Sequence, residues 1–317
     1  MVKGDLSREP FAGLSDAGRD AMRAVGPRWA DDIVANRKIV VDTFTPVLAA
    51  APKHASVERN VAYGTHARHR LDIFTPPRDG GDEPLRDAVV FVHGGAFVRG
   101  EKSVNGEIYD NVCHWFANHG LVAFNVEYRL ADAAPYPGGA EDVAAALAWI
   151  DAMAEQLHFD PRRIFLVGHS AGGAHAATCL FDPLLDGRVR RDAIAGLVLI
   201  SARVVADVRD GNPNAQPVRR YFGDDETRYS ERSPLTHIAR AAVPLMIAVA
   251  EYENPYLDEY GAQMFADALR HRGIPPRFVQ LRGHNHTSIV AHFNSGETYL
   301  GNEMLAFFSS CAAGGPD

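Results

Sequence analysis

The chain has 317 residues, 46% of them hydrophobic, three cysteines and a formal net charge of −8. That is enough apolar chain for one large core, and dispersed basic residues on an acidic background exclude a nucleic-acid-binding footprint. No apolar run approaches the roughly 18 residues of a membrane span, and Met1–Pro10 lacks a signal-peptide core, so the expectation is a cytoplasmic enzyme whose Cys113 and Cys179 are core thiols.

In chain order, residues 13–50 have helical spacing through Ala21, Met22, Val25, Trp29, Ile33, Val34 and Ile39–Val41. Their simplest role is packing on the outside of a sheet. Residues 57–76 read as an opening hairpin with Arg70–Phe74 as its second half, and the Pro-, Gly- and Asp-rich stretch 76–87 reads as a surface connection. Ala88–Val92 is a buried strand that ends in His93-Gly94-Gly95-Ala96-Phe97. Leu121–Val126 is another, followed by Tyr128-Arg129, and Arg163–Val167 is a third, followed by a helix over Ala171–Leu180. A polar, Arg- and Asp-rich segment occupies Ser201–His237. Val243–Ala250 is a strand running into Glu251-Tyr252-Glu253-Asn254-Pro255. Arg277–Leu281 is the final strand, and the loop after it holds His284-Asn285-His286-Thr287-Ser288. Strands alternating with helices predict a mostly parallel sheet covered on both faces.

Chemistry concentrates at Gly168-His169-Ser170-Ala171-Gly172. A strand ending in Gly-x-Ser-x-Gly before a helix builds a nucleophile elbow: the turn tips Ser170 Oγ out of the sheet, and Gly168 and Gly172 let strand and helix pass closely. Acyl transfer also needs donors aimed at the developing oxyanion, and glycines let backbone N–H groups approach it. The expected oxyanion hole is Gly94, Gly95 and Ala171. Alone, His93-Gly94-Gly95 could be a plain turn, but the order of the two motifs, with a strand between them, favours catalysis. His93 and His169 are expected to pack beneath the oxyanion loop, with His169 adjoining the substrate. His284-x-His286 does not make a zinc site, since no Cys or carboxylate stands at a recognised spacing. No metal or organic cofactor is expected.

These motifs, with Tyr128-Arg129-Leu130-Ala131, the run Tyr136–Val143 and Gly283-His284-Asn285-His286, resemble the α/β-hydrolase fold. Within it they resemble the hormone-sensitive-lipase-like carboxylesterases and arylformamidase-like esterases, over about residues 55–312. The resemblance implies a central sheet of about eight strands, a catalytic domain over 56–317, and an amino-terminal helical cap over 1–55 that the segment 201–237 could complete. It implies the order Ser, acid, His. Glu253 falls where relatives carry Asp, with Glu251 and Asp258 as competitors. His286, just ahead of a short helix, matches the base better than His284. Arg129 would pair with Asp142 as in the family. Many members carry a third glycine where this chain has Ala96, which keeps its N–H and implies an intact hole with a narrower acyl pocket. Trp29, Phe97, Val98 and Tyr252 are candidate pocket walls. The implied activity is hydrolysis of small short- to medium-chain or aromatic carboxylic esters through a Ser170–His286–Glu253 triad, on a small-molecule ester substrate and without membrane association. A homodimer through the edge strand or the helix around Tyr299–Phe308 is also implied. An arylformamidase or other amidase, a lactonase, a lyase and a non-catalytic receptor remain open, because function resides in the site rather than the fold.

Overall fold

Why the sheet is buried on both faces follows from its strand sequences. In β3 (Arg86–Val92) of the computed structural model, Ala88, Val90 and Val92 face one core, and Val89 and Phe91 face another. Successive side chains point to opposite faces of a strand, so an unbroken apolar run needs cover on both sides. The structure describes residues 9–78, 80, 83–240 and 243–311. Residues 1–8, which make up most of the stretch read for a leader, and residues 312–317, at the end of the expected catalytic domain, lie outside the described residues.

The strands are β1 (Ser56–Ala62), β2 (Arg70–Thr75), β3, β4 (Val122–Val126), β5 (Phe159–His169), β6 (Ile194–Ile200), β7 (Leu245–Tyr252) and β8 (Arg277–Asn285). They form one eight-stranded sheet in the order β1-β2-β4-β3-β5-β6-β7-β8. β1 pairs antiparallel with β2, and β2 with β4; every later pairing is parallel. β3 and β5 lie side by side, and the chain leaving β3 goes to β4 on one side while the chain leaving β5 goes to β6 on the other. The crevice beyond the carboxyl ends of such a pair is where open α/β sheets place their ligands.

The helices are α1 (Asp16–Val25), α2 (Ile33–Ala50), α3 (Asp110–Asn118), α4 (Gly138–Ala152), α5 (Ala154–Leu157), α6 (Ala171–Phe181), α7 (Ala215–Phe222), α8 (Tyr229–Arg232), α9 (Leu257–Arg272), α10 (Ser288–Ala291) and α11 (Tyr299–Ser310). α4, α6 and α9 supply one core, whereas α1, α2, α3 and α11 supply the other. The amino-terminal helices start at capping residues. Ser15 accepts a hydrogen bond from the Gly18 amide at 3.2 Å and Asp32 one from Ala35 at 3.0 Å, each satisfying an otherwise unpaired first-turn donor. Met22, Val25, Trp29, Val40, Phe44 and Leu48 point into the sheet-facing core, but Val34 and Ile39, assigned to the same apolar set from the sequence, are 81% and 41% exposed. The stripe is narrower than spacing alone indicates. β8 also runs to Asn285, four residues beyond the expected end at Leu281, so His284 belongs to the strand. All three cysteines are buried and unpaired. No helix of the described residues is long and apolar enough to cross a membrane.

Candidate active site

Ser170 follows β5 with φ 55° and ψ −119°, a conformation that L-residues rarely adopt. Such a residue typically stores about 1–3 kcal/mol of strain and persists only where its surroundings fix it. Here they do. A Cβ on Gly168 would lie 2.6 Å from the Gly172 carbonyl oxygen, and one on Gly172 only 2.2 Å from that of Val92. The Ser170 amide donates to Ile200 at 2.9 Å, and its carbonyl accepts from the Arg203 amide at 3.2 Å. Ala171 opens α6, so its amide is one of the donors that a helix start leaves without a partner inside the helix.

His286 stands between Ser170 and Glu253. Its Nε2 is 3.0 Å from Ser170 Oγ, and its Nδ1 is 2.8 Å from Glu253 Oε2. A carboxylate only accepts, so Nδ1 carries the proton and Nε2 is free to accept from the serine. The other oxygen, Glu253 Oε1, accepts from the Ala250 amide at 2.8 Å and from the Ser201 hydroxyl. Both competing acids are engaged elsewhere: Glu251 accepts from the Gly283 amide at 2.6 Å, and exposed Asp258 accepts from its neighbour Glu259. His284 turns toward Glu297, with Nε2 and Oε1 3.0 Å apart. The turn that presents His286 is built by Asn285, whose Oδ1 accepts from the Thr287 and Ser288 amides and so caps α10.

The loop after β3 has three consecutive positive φ values, 155° at Gly95, 50° at Ala96 and 69° at Phe97. Gly95 is required, because a Cβ there would sit 1.8 Å from the Arg99 carbonyl oxygen. A Cβ on Gly94 would lie 3.2 Å from the Tyr109 hydroxyl oxygen, so Tyr109 packs against this loop. Tyr109 in turn lies 3.3 Å from His169 Nδ1, and His169 Nε2 lies 3.0 Å from the His286 carbonyl oxygen. The carbonyl accepts only, so Nε2 bears the hydrogen of His169, and Nδ1 accepts from Tyr109. Burial and the neighbouring His286 push the His169 pKa well below its usual value and keep the ring neutral. His93 anchors the loop from behind, with Nε2 2.7 Å from Glu127 and its ring stacked on Tyr128 at 4.4 Å. Arg129 and Asp142 form a bidentate pair, 2.6 Å at the shortest, around a fully buried carboxylate.

The expected pocket walls fare unevenly. Val98 and Tyr252 are half-buried, but Phe97, Trp29 and His169 are enclosed at 0%, 1% and 3% exposure, so these three support the site rather than line it. Phe97 stacks on Tyr221 at 4.6 Å, and Trp29 Nε1 donates to Asn254 at 2.8 Å. Sequence reasoning missed Tyr221 and Phe222, which α7 carries into an apolar cluster with Phe97, Ala171 and Ala174. Their spacing from Val218 was the available signal, hidden by the charged residues around it. It also missed Tyr109, Ser201 and Asn254, single polar residues without a motif. A groove of about 310 Å³ near Leu245, Arg277 and Phe307 opens at the starts of β7 and β8, the opposite end of the sheet. Among the described residues, no group of three or more His, Cys, Asp or Glu is arranged to hold a metal ion.

Residues 71–191 match the BD-FAE family. Over 287 residues, 84% of this chain, the sequence is 29% identical to a probable isoprenylcysteine alpha-carbonyl methylesterase, ICMEL2, of Arabidopsis thaliana. Over 118 residues, 37% of the chain, it is 36% identical to the carboxylesterase NlhH of Mycobacterium tuberculosis. The matched stretches span 66% and 34% of those relatives' own lengths. Among solved structures, an esterase of Pyrobaculum calidifontis superposes with a TM-score of 0.67 at 25% identity, covering 95% of this chain and 99% of that one.

Proposed function

We propose that this chain, an α/β-hydrolase by fold that resembles the hormone-sensitive-lipase-like esterases in sequence, is a serine carboxylesterase working through Ser170, His286 and Glu253. The observation that carries this reading is the placement of one imidazole within hydrogen-bond reach of both an elbow serine and a buried carboxylate. His286 Nε2 takes the Ser170 proton as Oγ attacks the ester carbonyl. Glu253 holds the Nδ1 proton and stabilises the imidazolium. The amides of Gly94, Gly95 and Ala171 receive the oxyanion. His286 then protonates the departing alcohol, and water repeats the cycle on the acyl-enzyme.

Phe97 and Trp29 are enclosed, so of the expected pocket walls Val98 and Tyr252 are the ones that keep partial exposure. The reading is therefore of small short- to medium-chain or aromatic esters. The test is intact-mass spectrometry after fluorophosphonate treatment, wild type beside Ser170→Ala, followed by a p-nitrophenyl ester series and an N-formyl anilide. A single adduct on Ser170, turnover that peaks on short acyl chains, and a loss of roughly 10⁶-fold in kcat for Ser170→Ala are expected. No adduct on folded protein would sink the serine-hydrolase reading, and preference for the anilide would make the enzyme an amidase.

A further inference from the structure

Two of the three proposed triad members ride on β7 and β8 at the rim of the sheet, where β8 has a strand neighbour on one side only. Within the sheet they are joined by the His286 amide donating to the Tyr252 carbonyl at 3.1 Å. Beyond these strands and the groups already described, support comes from the amino-terminal segment. Gly26 lies so close to Tyr252 that a Cβ would come within 2.6 Å of its ring, and Trp29 Nε1 donates to Asn254 Oδ1 at 2.8 Å, one residue from Glu253. At the other loop, a Cβ on Gly283 would meet Pro10 at 3.1 Å, and the Phe11 ring lies 4.5 Å from that of His284. Glu297 joins these parts, with Oε2 accepting from the Phe11 amide at 2.8 Å and Oε1 facing His284 Nε2 at 3.0 Å. Phe11 and Trp29 are 2% and 1% exposed, so both ends of the segment are locked into the core.

We propose that residues 10–29 are a positioning element for proton transfer: Trp29 fixes the acid loop through Asn254, and Glu297 fastens Phe11 to the strand that delivers His286. The inference rests on the triad reading above. A lid has to move off the pocket, whereas contacts this enclosed hold two loops in register. Proton transfer from Ser170 depends on that register, since misplacement of about 1 Å can lower a rate by roughly 10²-fold. Burial opposes ionisation of Glu297, but His292 and His284 beside it and the Phe11 amide hold its pKa down at about 2, so the clamp stays ionised at neutral pH.

The test measures kcat and KM for p-nitrophenyl acetate in Trp29→Phe, Asn254→Leu, Glu297→Gln and Glu297→Ala. Rates are referred to the amount of Ser170 that a fluorophosphonate labels to completion, so unfolded material drops out. Each single variant should lower kcat about tenfold with KM changed less than about twofold and the acyl-length optimum unmoved. The Trp29→Phe/Asn254→Leu double variant should lose no more than either single one. Glu297→Gln, which keeps one accepting oxygen, should lose less than Glu297→Ala. Unchanged kcat, or a shifted KM and acyl preference at constant kcat, would assign the segment to covering the pocket and overturn the proposal. Wild-type protein that takes no label would instead remove the serine-hydrolase reading on which it rests.

Discussion

Ser170 and the oxyanion loop are held by backbone packed against backbone between β3 and β5, at the centre of the sheet, whereas Glu253 and His286 are held by side-chain hydrogen bonds between β7 and β8, at its rim. The central half tolerates almost no added atom: Gly95, Gly168 and Gly172 each face a carbonyl oxygen that a methyl group would strike. The rim half depends instead on polar groups that find one another across long stretches of chain, Ser201 on Glu253 and Trp29 on Asn254. Geometry made by sterics is fixed once the chain folds. Geometry made by hydrogen bonds can be loosened one bond at a time while the fold survives.

The rim half should therefore lose catalysis without losing structure. Glu253→Gln keeps the size of the side chain but removes the charge that stabilises the imidazolium, and its amide can present a donor to Nδ1. The expected result is a fall of about 10⁴-fold in kcat with an unchanged denaturation midpoint, read by steady-state kinetics beside urea melts. A loss below about tenfold would mean that the imidazole is oriented by something other than Glu253.

The central half should behave in the opposite way. Gly172→Ala places a methyl 2.2 Å from the Val92 carbonyl oxygen, backbone that cannot give without parting α6 from β3. The expected destabilisation exceeds about 4 kcal/mol, seen as a collapsed urea midpoint or as failure to accumulate folded protein. Normal stability would show that the elbow is looser than its contacts indicate.

The same division explains what could be read from the sequence. Ser170, Gly95 and Ala171 are legible because close approach of backbones demands glycine or a small residue at fixed spacing, and that demand leaves a local pattern. The sheet is legible for a similar reason, since a strand buried on both faces must be apolar throughout, as Ala88–Val92 is. Trp29 and Phe97 were misjudged because an aromatic residue near a motif can face the opening or the core, and only tertiary packing decides; here Tyr221 and Asn254 take them inward. The Glu297 link to Phe11 spans 286 residues and could not be read from any window of the chain.

Acid titration compares the two halves through their buried histidines. Burial lowers the pKa of His175, on α6, to about 3, and that of His292, near the rim, to about 4. An unfolded histidine takes up its proton near pH 6.5, so as pH falls below that value the unfolded state binds protons that the folded state refuses. Stability should fall from about pH 6.5 down to the folded values, by about 1.4 kcal/mol per pH unit for each histidine. Urea midpoints at pH 7.5 and pH 5 should show this, and His175→Gln and His292→Gln should each flatten the slope by one proton. A variant whose slope stays at the wild-type value would mean that its histidine already takes up a proton in the folded state.

The smallest effect, and the finest test of the central half, lies at Ala96. Its φ of 50° is a conformation in which a Cβ is disfavoured, by roughly 1–2 kcal/mol. Glycine would relieve that strain but give the unfolded chain more freedom, worth about 0.4–1 kcal/mol in the other direction. Ala96→Gly should therefore raise stability by about 0.8 kcal/mol, the difference of the midpoints of those two terms. The substitution removes no amide from the loop, so kcat on an acetate ester should stay within about twofold, while longer acyl esters should gain from the space the methyl leaves. A fall in stability would mean that the Ala96 methyl contributes packing that outweighs its strain. The oxyanion loop would then depend on side chains as the rim does, and the contrast between the two halves would hold for the nucleophile elbow alone.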